Sequence, residues 1–186
     1  MRGGTTRVAC DPIMVTAHLV GLILQREAPD VAAALWGGEG QVPIAQVIRR
    51  WIEQCFWNYL DWSEIRSYLA LCFTQGADYQ VYYCVAILMH LGAEIVRHKW
   101  SGESSLWAML MQQPIRGFTV GGGGGSGSGE EGVGDVGGGG GGLGGPMSVR
   151  DRLAGLQRRY RELCVHTMAR AVAGHEVSVP LALIVT

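Results

Sequence analysis

The chain has 186 residues, a formal net charge of -1, 48% hydrophobic content and 29 glycines, most of them in one tract. A charge so near zero supplies no field for nucleic acid or an anionic membrane, and about 160 residues remain outside the tract, enough for one core. Cys10, Cys55, Cys72, Cys84 and Cys164 make no CxxC pair and lie mostly among apolar residues, which fits reduced, buried thiols of a cytosolic protein better than a disulfide framework.

The opening MRGGTTRVACDP has two arginines but no apolar run directly behind them, so no secretory signal is read there. The longest apolar runs, IMVTAHLVGLIL and VYYCVAILMHL, fall short of the roughly 20 residues that span a bilayer. Both predict buried helices, with no transmembrane segment.

Asp11 and Pro12 have the form of an N-cap and a first-turn proline, and predict a helix over about 13–26. Pro29 and Asp30 restart a short helix through Trp36, which GGEGQVP interrupts. From Pro43 the apolar residues Ile44, Val47, Ile48, Trp51, Ile52, Cys55, Phe56 and Tyr59 recur at helical steps and predict one amphipathic helix over 44–59. Ser63 is the expected N-cap of the next helix, with Ile65, Tyr68, Leu69, Cys72 and Phe73 inward and Gly76 at its end. Asp78 then opens a helix over about 79–98, apolar nearly all round through Leu91 and hence central. Strand is the competing reading of VYYCVAIL, but the apolar run continues in helical frame to Ile95. Trp51, Phe56, Leu69, Val85 and Leu88 are the expected core.

A helix over about 103–113 uses Leu106, Leu110, Trp107 and Met111 before Pro114. Residues 121–145 are almost entirely glycine and carry no periodicity, which predicts a disordered linker. They are no phosphate cradle, because no strand precedes them and no lysine is present. Beyond them Val149, Leu153, Leu156, Tyr160, Leu163, Thr167 and Ala171 form a three-heptad seam over 148–173, expected to dock back on the domain. Its polar side bears Arg150, Arg152, Arg158, Arg159, Arg161 and Arg170 against Asp151 and Glu162. The last residues, SVPLALIVT, are apolar and uncapped.

Nothing in this pattern names a reaction. His18, His90, His98, His166 and His175 are scattered, and Cys164 with His166 lacks the second pair a metal site requires. Asp61, Glu64 and Asp78 fall at helix starts, where capping explains a negative charge. The tryptophans Trp36, Trp51, Trp57, Trp62, Trp100 and Trp107 are not interleaved with basic residues as single-strand binding needs, and are expected as core or interface anchors. No catalytic, cofactor-binding or metal-ligating residue is singled out.

The wording VP…W…CFWNYLDW at 55–62, DYQVY at 78–82, RGFTV at 116–120 and a YRE-containing helix near the end resembles the carboxy-terminal half of a TBC (Tre-2/Bub2/Cdc16) domain, the all-helical module of Rab GTPase-activating proteins. It is most similar to a TBC-like branch found in a ciliary factor. The resemblance covers about 11–120 and 148–172. It implies an all-α lobe over 1–120, a glycine-rich linker over 121–147 and an amphipathic helix and tail over 148–186. Active members of the family supply an arginine from IxxDxxR and a glutamine from YxQ, which steady the charge on the transferred phosphoryl group and place the attacking water. Neither motif occurs here. The resemblance therefore implies a non-catalytic scaffold or small-GTPase-binding surface, without cofactor, with a Rab-family GTPase or a ciliary kinase as partner, in the cytoplasm at the cilium or its base. The alternative is the end of a Rab activator whose Arg and Gln fingers lie upstream.

Overall fold

A helix that is apolar around its whole circumference has to be enclosed on every side, and residues 81–88 are buried without exception. The computed structural model describes residues 11–36, 42–98, 103–120 and 147–173, with the side chains of 103–105 aside. Among the described residues eight α-helices follow one another: α1 Pro12–Glu27, α2 Pro29–Trp36, α3 Ile44–Glu53, α4 Trp62–Gln75, α5 Tyr79–His90, α6 Gly92–His98, α7 Glu103–Gln112 and α8 Val149–Val172. Among the described residues there is no strand, so the fold is all-α. Helices α1, α4, α6 and α8 pack around α5, while α2 and α3 lie on α1 and α7 closes over α3 and α6.

The starts of α1 and α8 follow from their caps. Asp11 accepts the amide of Ile13 at 2.9 Å and also pairs with Arg49, which ties the first turn of α1 to α3. Ser148 accepts the amide of Asp151 at 3.1 Å. Each side chain satisfies an amide that the first turn leaves without a helical acceptor. The next helix begins differently from expectation: Asp61, not Ser63, holds the N-cap position of α4, and neither the Asp61 side chain there nor that of Asp78 before α5 accepts an amide of its own first turn.

Two long helices of the sequence reading are broken. The helix expected over 44–59 ends at Glu53, where the amides of Cys55 and Phe56 turn back to the carbonyls of Ile52 and Trp51 at 2.9 and 2.8 Å. That pair of bonds is a Schellman closure, with the left-handed residue at Cys55 (φ 46°) and a second at Phe56 (φ 59°). The Phe56 ring packs on Trp51, 5.9 Å between centroids, supplying the apolar contact that accompanies such a stop. The helix expected over 79–98 divides at Leu91 with a bend of 58°. There α6 presses against α2 so closely that a Cβ on Gly92 would lie 2.9 Å from Cγ2 of Val31.

The core is otherwise as anticipated at Trp51, Phe56, Val85 and Leu88, all fully buried. Other expected positions differ. Ile52, Leu69 and Cys72 are only half-buried, Phe73 is 87% exposed, and Cys55 faces solvent. On α8, Leu153, Leu156 and Tyr160 are buried against α1 and α5, but Leu163 is 40% exposed and Cys164 takes its place. The linker expected over 121–147, except Met147, lies outside the described residues, as do Cys10, Trp100, His175 and the tail from 174. No single described helix is long and apolar enough to cross a membrane; α5 and α6 together have the length and composition, but are bent at Leu91.

Two stability measurements check this account. Trp51→Ala is expected to cost about 3–5 kcal/mol as a large-to-small core change; an unchanged urea midpoint would remove Trp51 from the core. Cys55→Gly should raise stability by about 1 kcal/mol, since an exposed L-residue is relieved of the left-handed conformation, and a lowered midpoint would contradict the turn described.

Candidate interaction surface

The Schellman turn decides what the lobe shows to solvent. Trp51 and Tyr59 face inward and complete the end of α7. The indole N–H of Trp51 donates to the Leu110 carbonyl at 3.2 Å, and the Tyr59 hydroxyl to that of Met111 at 2.9 Å. These are two of the last four carbonyls that a helix leaves unpaired. Trp57, two residues before Tyr59, is thrown outward and is 62% exposed. It meets Trp62, 56% exposed, edge to face at 5.4 Å. Phe73 lies eleven residues beyond Trp62 on α4, three helical turns, and so shares its side. The result is a solvent-facing aromatic strip on a helix that packs chiefly on α5, with Arg66 exposed between its ends.

Beneath that strip a strap, residues 113–120, is clipped to the lobe. The Ile115 amide donates to the Tyr59 carbonyl at 2.7 Å, and His90 donates through Nε2 to the Arg116 carbonyl at 2.8 Å. Gly117 takes φ 70°, and the Phe118 ring then enters between Tyr83 and His90, 5.3 and 5.6 Å away. The strap ends with the Val120 amide on Oε2 of buried Glu64 at 2.8 Å. Glu64 was expected to serve the helix start; its carboxylate instead holds the strap. Where strap and α5–α6 bend meet, an open groove of about 430 Å³ is lined by His90, Leu91, Glu94, Gln113, Pro114 and Arg116.

The residues weighed for chemistry do not converge. Among the described residues no three His, Cys, Asp or Glu side chains stand together as metal ligands. Cys164 is buried while His166, two residues on, is exposed. Burial pushes the Cys72 and Cys164 thiols up to about 11 and raises Cys84 further, so these are thiols and not thiolates at neutral pH. Asp78 is buried beside Tyr82, whose hydroxyl donates to it at 3.1 Å. Of the tryptophans, Trp51 is core, Trp36 and Trp107 are half-buried, and Trp57 and Trp62 carry the surface. The exposure of Phe73 was readable: it stands 80° around the helix from Ile65 and 140° from Tyr68, as 100° per residue requires.

A family model described as the Broad-minded protein Rab TBC domain matches residues 3–122. The chain belongs to that family. Protein broad-minded of Danio rerio is 44% identical over 105 residues, and that of Mus musculus 42% over 105 residues. Each match takes in 56% of this chain but 8% of the relative, so the chain spans a small part of the curated relatives it matches. No solved structure matches. This is thus a Broad-minded-related TBC-like protein with an all-α fold, and the aromatic strip on Trp57, Trp62 and Phe73 lies within the matched Broad-minded region.

One titration bears on that region. His18 in α1 is buried, its Nδ1 has no hydrogen-bond partner, and desolvation lowers its pKa below the ordinary 6.5. The folded state therefore resists a proton that the unfolded state accepts, so stability is intact above about pH 6.5 and falls as the pH drops below it. Melting curves from pH 7.5 to 5.5 should show a smaller loss for His18→Leu than for the natural chain; equal losses would remove His18 as a source.

Proposed function

We propose that this Broad-minded-type lobe is a non-catalytic interaction domain, a scaffold or small-GTPase-binding surface in cilium assembly and ciliary signalling. The observation that supports it most is the exposed pair Trp57 and Trp62, extended by Phe73. Large aromatics are expensive to leave in water and dominate the energetics of interfaces when they are covered. The polar groups that a hydrolytic site would need are spent on the lobe itself, as Glu64 is on Val120 and His90 on Arg116. The chain also carries neither the IxxDxxR nor the YxQ motif. A Rab-family GTPase or a ciliary kinase is the partner that the TBC resemblance suggests, in the cytoplasm at the cilium or its base.

Single-turnover GTP hydrolysis across a Rab panel tests the catalytic half of this reading. No member should be accelerated, and an acceleration of about a thousandfold, the scale of a supplied arginine finger, would falsify it. Titration calorimetry with the same panel tests the binding half. For whichever GTPase binds, replacing both Trp57 and Trp62 by Ala should weaken the complex by at least about 2 kcal/mol, roughly thirtyfold, while global stability moves by no more than about 1 kcal/mol. Binding that is indifferent to both substitutions would place the interface elsewhere.

A further inference from the structure

Helix α8 is unlike the other seven. The family match stops at residue 122, and α8 is joined to the matched region only through 121–146, a stretch of mostly glycine. Its buried residues are Leu153, Leu156, Tyr160, Cys164 and, near its end, Ala171, with Val149 and Met168 partly buried, while Arg158, Arg161, Val165 and Val172 stay exposed. Its seat is the groove between α1 and α5. Where α8 passes, that seat presents buried Tyr82 and Asp78, and its rim is polar. Glu27 at the end of α1 takes Arg159 through one carboxylate oxygen and the Tyr160 hydroxyl through the other, both at 2.7 Å, and Gln75 meets Gln157 at 3.3 Å. An apolar stripe read at spaced positions, with one carboxylate at the edge to fix register, is how a groove recognises an amphipathic helix. A core element held by a short connection needs no such address.

Resting on the interaction reading and deepening it, we propose that the α1–α5 groove is a receptor for amphipathic helices, occupied in cis by α8. The partner that replaces α8 is a helix bearing two leucines, an aromatic and a small residue at i, i+3, i+7 and i+11. It also bears an arginine at i+6 to meet Glu27. A tether as short and as rich in glycine as 121–146 sets an effective concentration for α8 on the order of millimolar, so a helix in trans succeeds when its own affinity exceeds that competition.

The test uses the full chain with a site-specific protease site placed within 121–146, and a fluorescent peptide of residues 148–173. Before cleavage the peptide should exchange in only near millimolar concentration; after cleavage and dilution it should bind at a concentration at least about tenfold lower, by anisotropy. A peptide carrying Leu156→Glu should not bind. The full chain with Glu27→Arg should reject the natural peptide and accept one with Arg159→Glu, by at least about tenfold each way, which fixes the rim charge as the address. A cleaved chain that never releases α8, or that aggregates when α8 leaves, makes α8 a core element and overturns the proposal. So does peptide binding indifferent to the charge exchange. A concentration-dependent dimer of the intact chain, abolished by Leu156→Glu, would assign the groove to a second copy of α8 and overturn the heterologous partner. None of these outcomes touches the Rab panel, which reads the α4 surface.

Discussion

Enclosing α5 is the constraint from which the rest of the structure follows. With residues 81–88 all buried, no side of this helix is spared from contact: α1, α4 and α6 surround it, and the helix seated in the α1–α5 groove, here α8, closes the remaining side. The polar atoms carried inside by its tyrosines then need partners, because an unpaired buried hydroxyl costs about 1–3 kcal/mol. Two of them find partners at helix starts: Tyr82 on the Asp78 carboxylate that precedes α5 itself, and Tyr83 on the Glu64 carbonyl of α4 at 3.2 Å. Desolvation raises the pKa of both phenols, as expected of hydroxyls held neutral and donating. The side chain of Glu64 turns the other way to grip Val120, so one buried residue links α5, the start of α4 and the strap.

The same enclosure explains why the turn after α3 is so sharp. Trp51 must reach the end of α7, and the chain must then cross to α4 within a few residues. Stopping α3 with two left-handed residues does both. Cys55 holds a position that usually goes to glycine, and the strain is tolerated because Phe56 is drawn into an aromatic cluster with Trp51, Tyr68 and Tyr83. The cost of an inward Phe56 is an outward Trp57. Exposure at Trp57 is therefore a geometric consequence of how the core was closed, whereas Trp62 and Phe73 stand exposed on α4 without that constraint.

Much of the fold was legible and the errors have physical causes. The cap Asp11, the proline at the start of α2 and the circumference of α5 all state their roles locally, by side-chain chemistry at a known offset. The break after Glu53 was hidden, because Cys55, Phe56 and Tyr59 continue the apolar spacing of α3 and no glycine announces the stop. The division at Leu91 has a different cover: Gly92 stands at the break, but Leu91 and Ile95 keep the apolar run in helical frame across it, and the bend coincides with the close approach of Gly92 to Val31. On α8 a seven-residue seam pointed to Leu163, but a straight helix drifts about 20° per heptad. Eleven residues from Leu153 return to the same side within about 20°, and the eleventh is Cys164. The surface was the least legible part, since exposure at Trp57 depends on the turn and not on its neighbours in sequence.

What the interior consumes also limits what the exterior can do. His90, Glu64, Trp51 and Tyr59 each have a polar atom committed to a backbone group of the strap or of α7. Releasing any of them for a substrate would leave a carbonyl or amide unpaired and loosen the strap that closes the core. Recognition through Trp57, Trp62 and Phe73 carries no such conflict, because their rings hold up nothing beneath them. The exposed side of α4 is thus where a substitution disturbs the enclosure of α5 least.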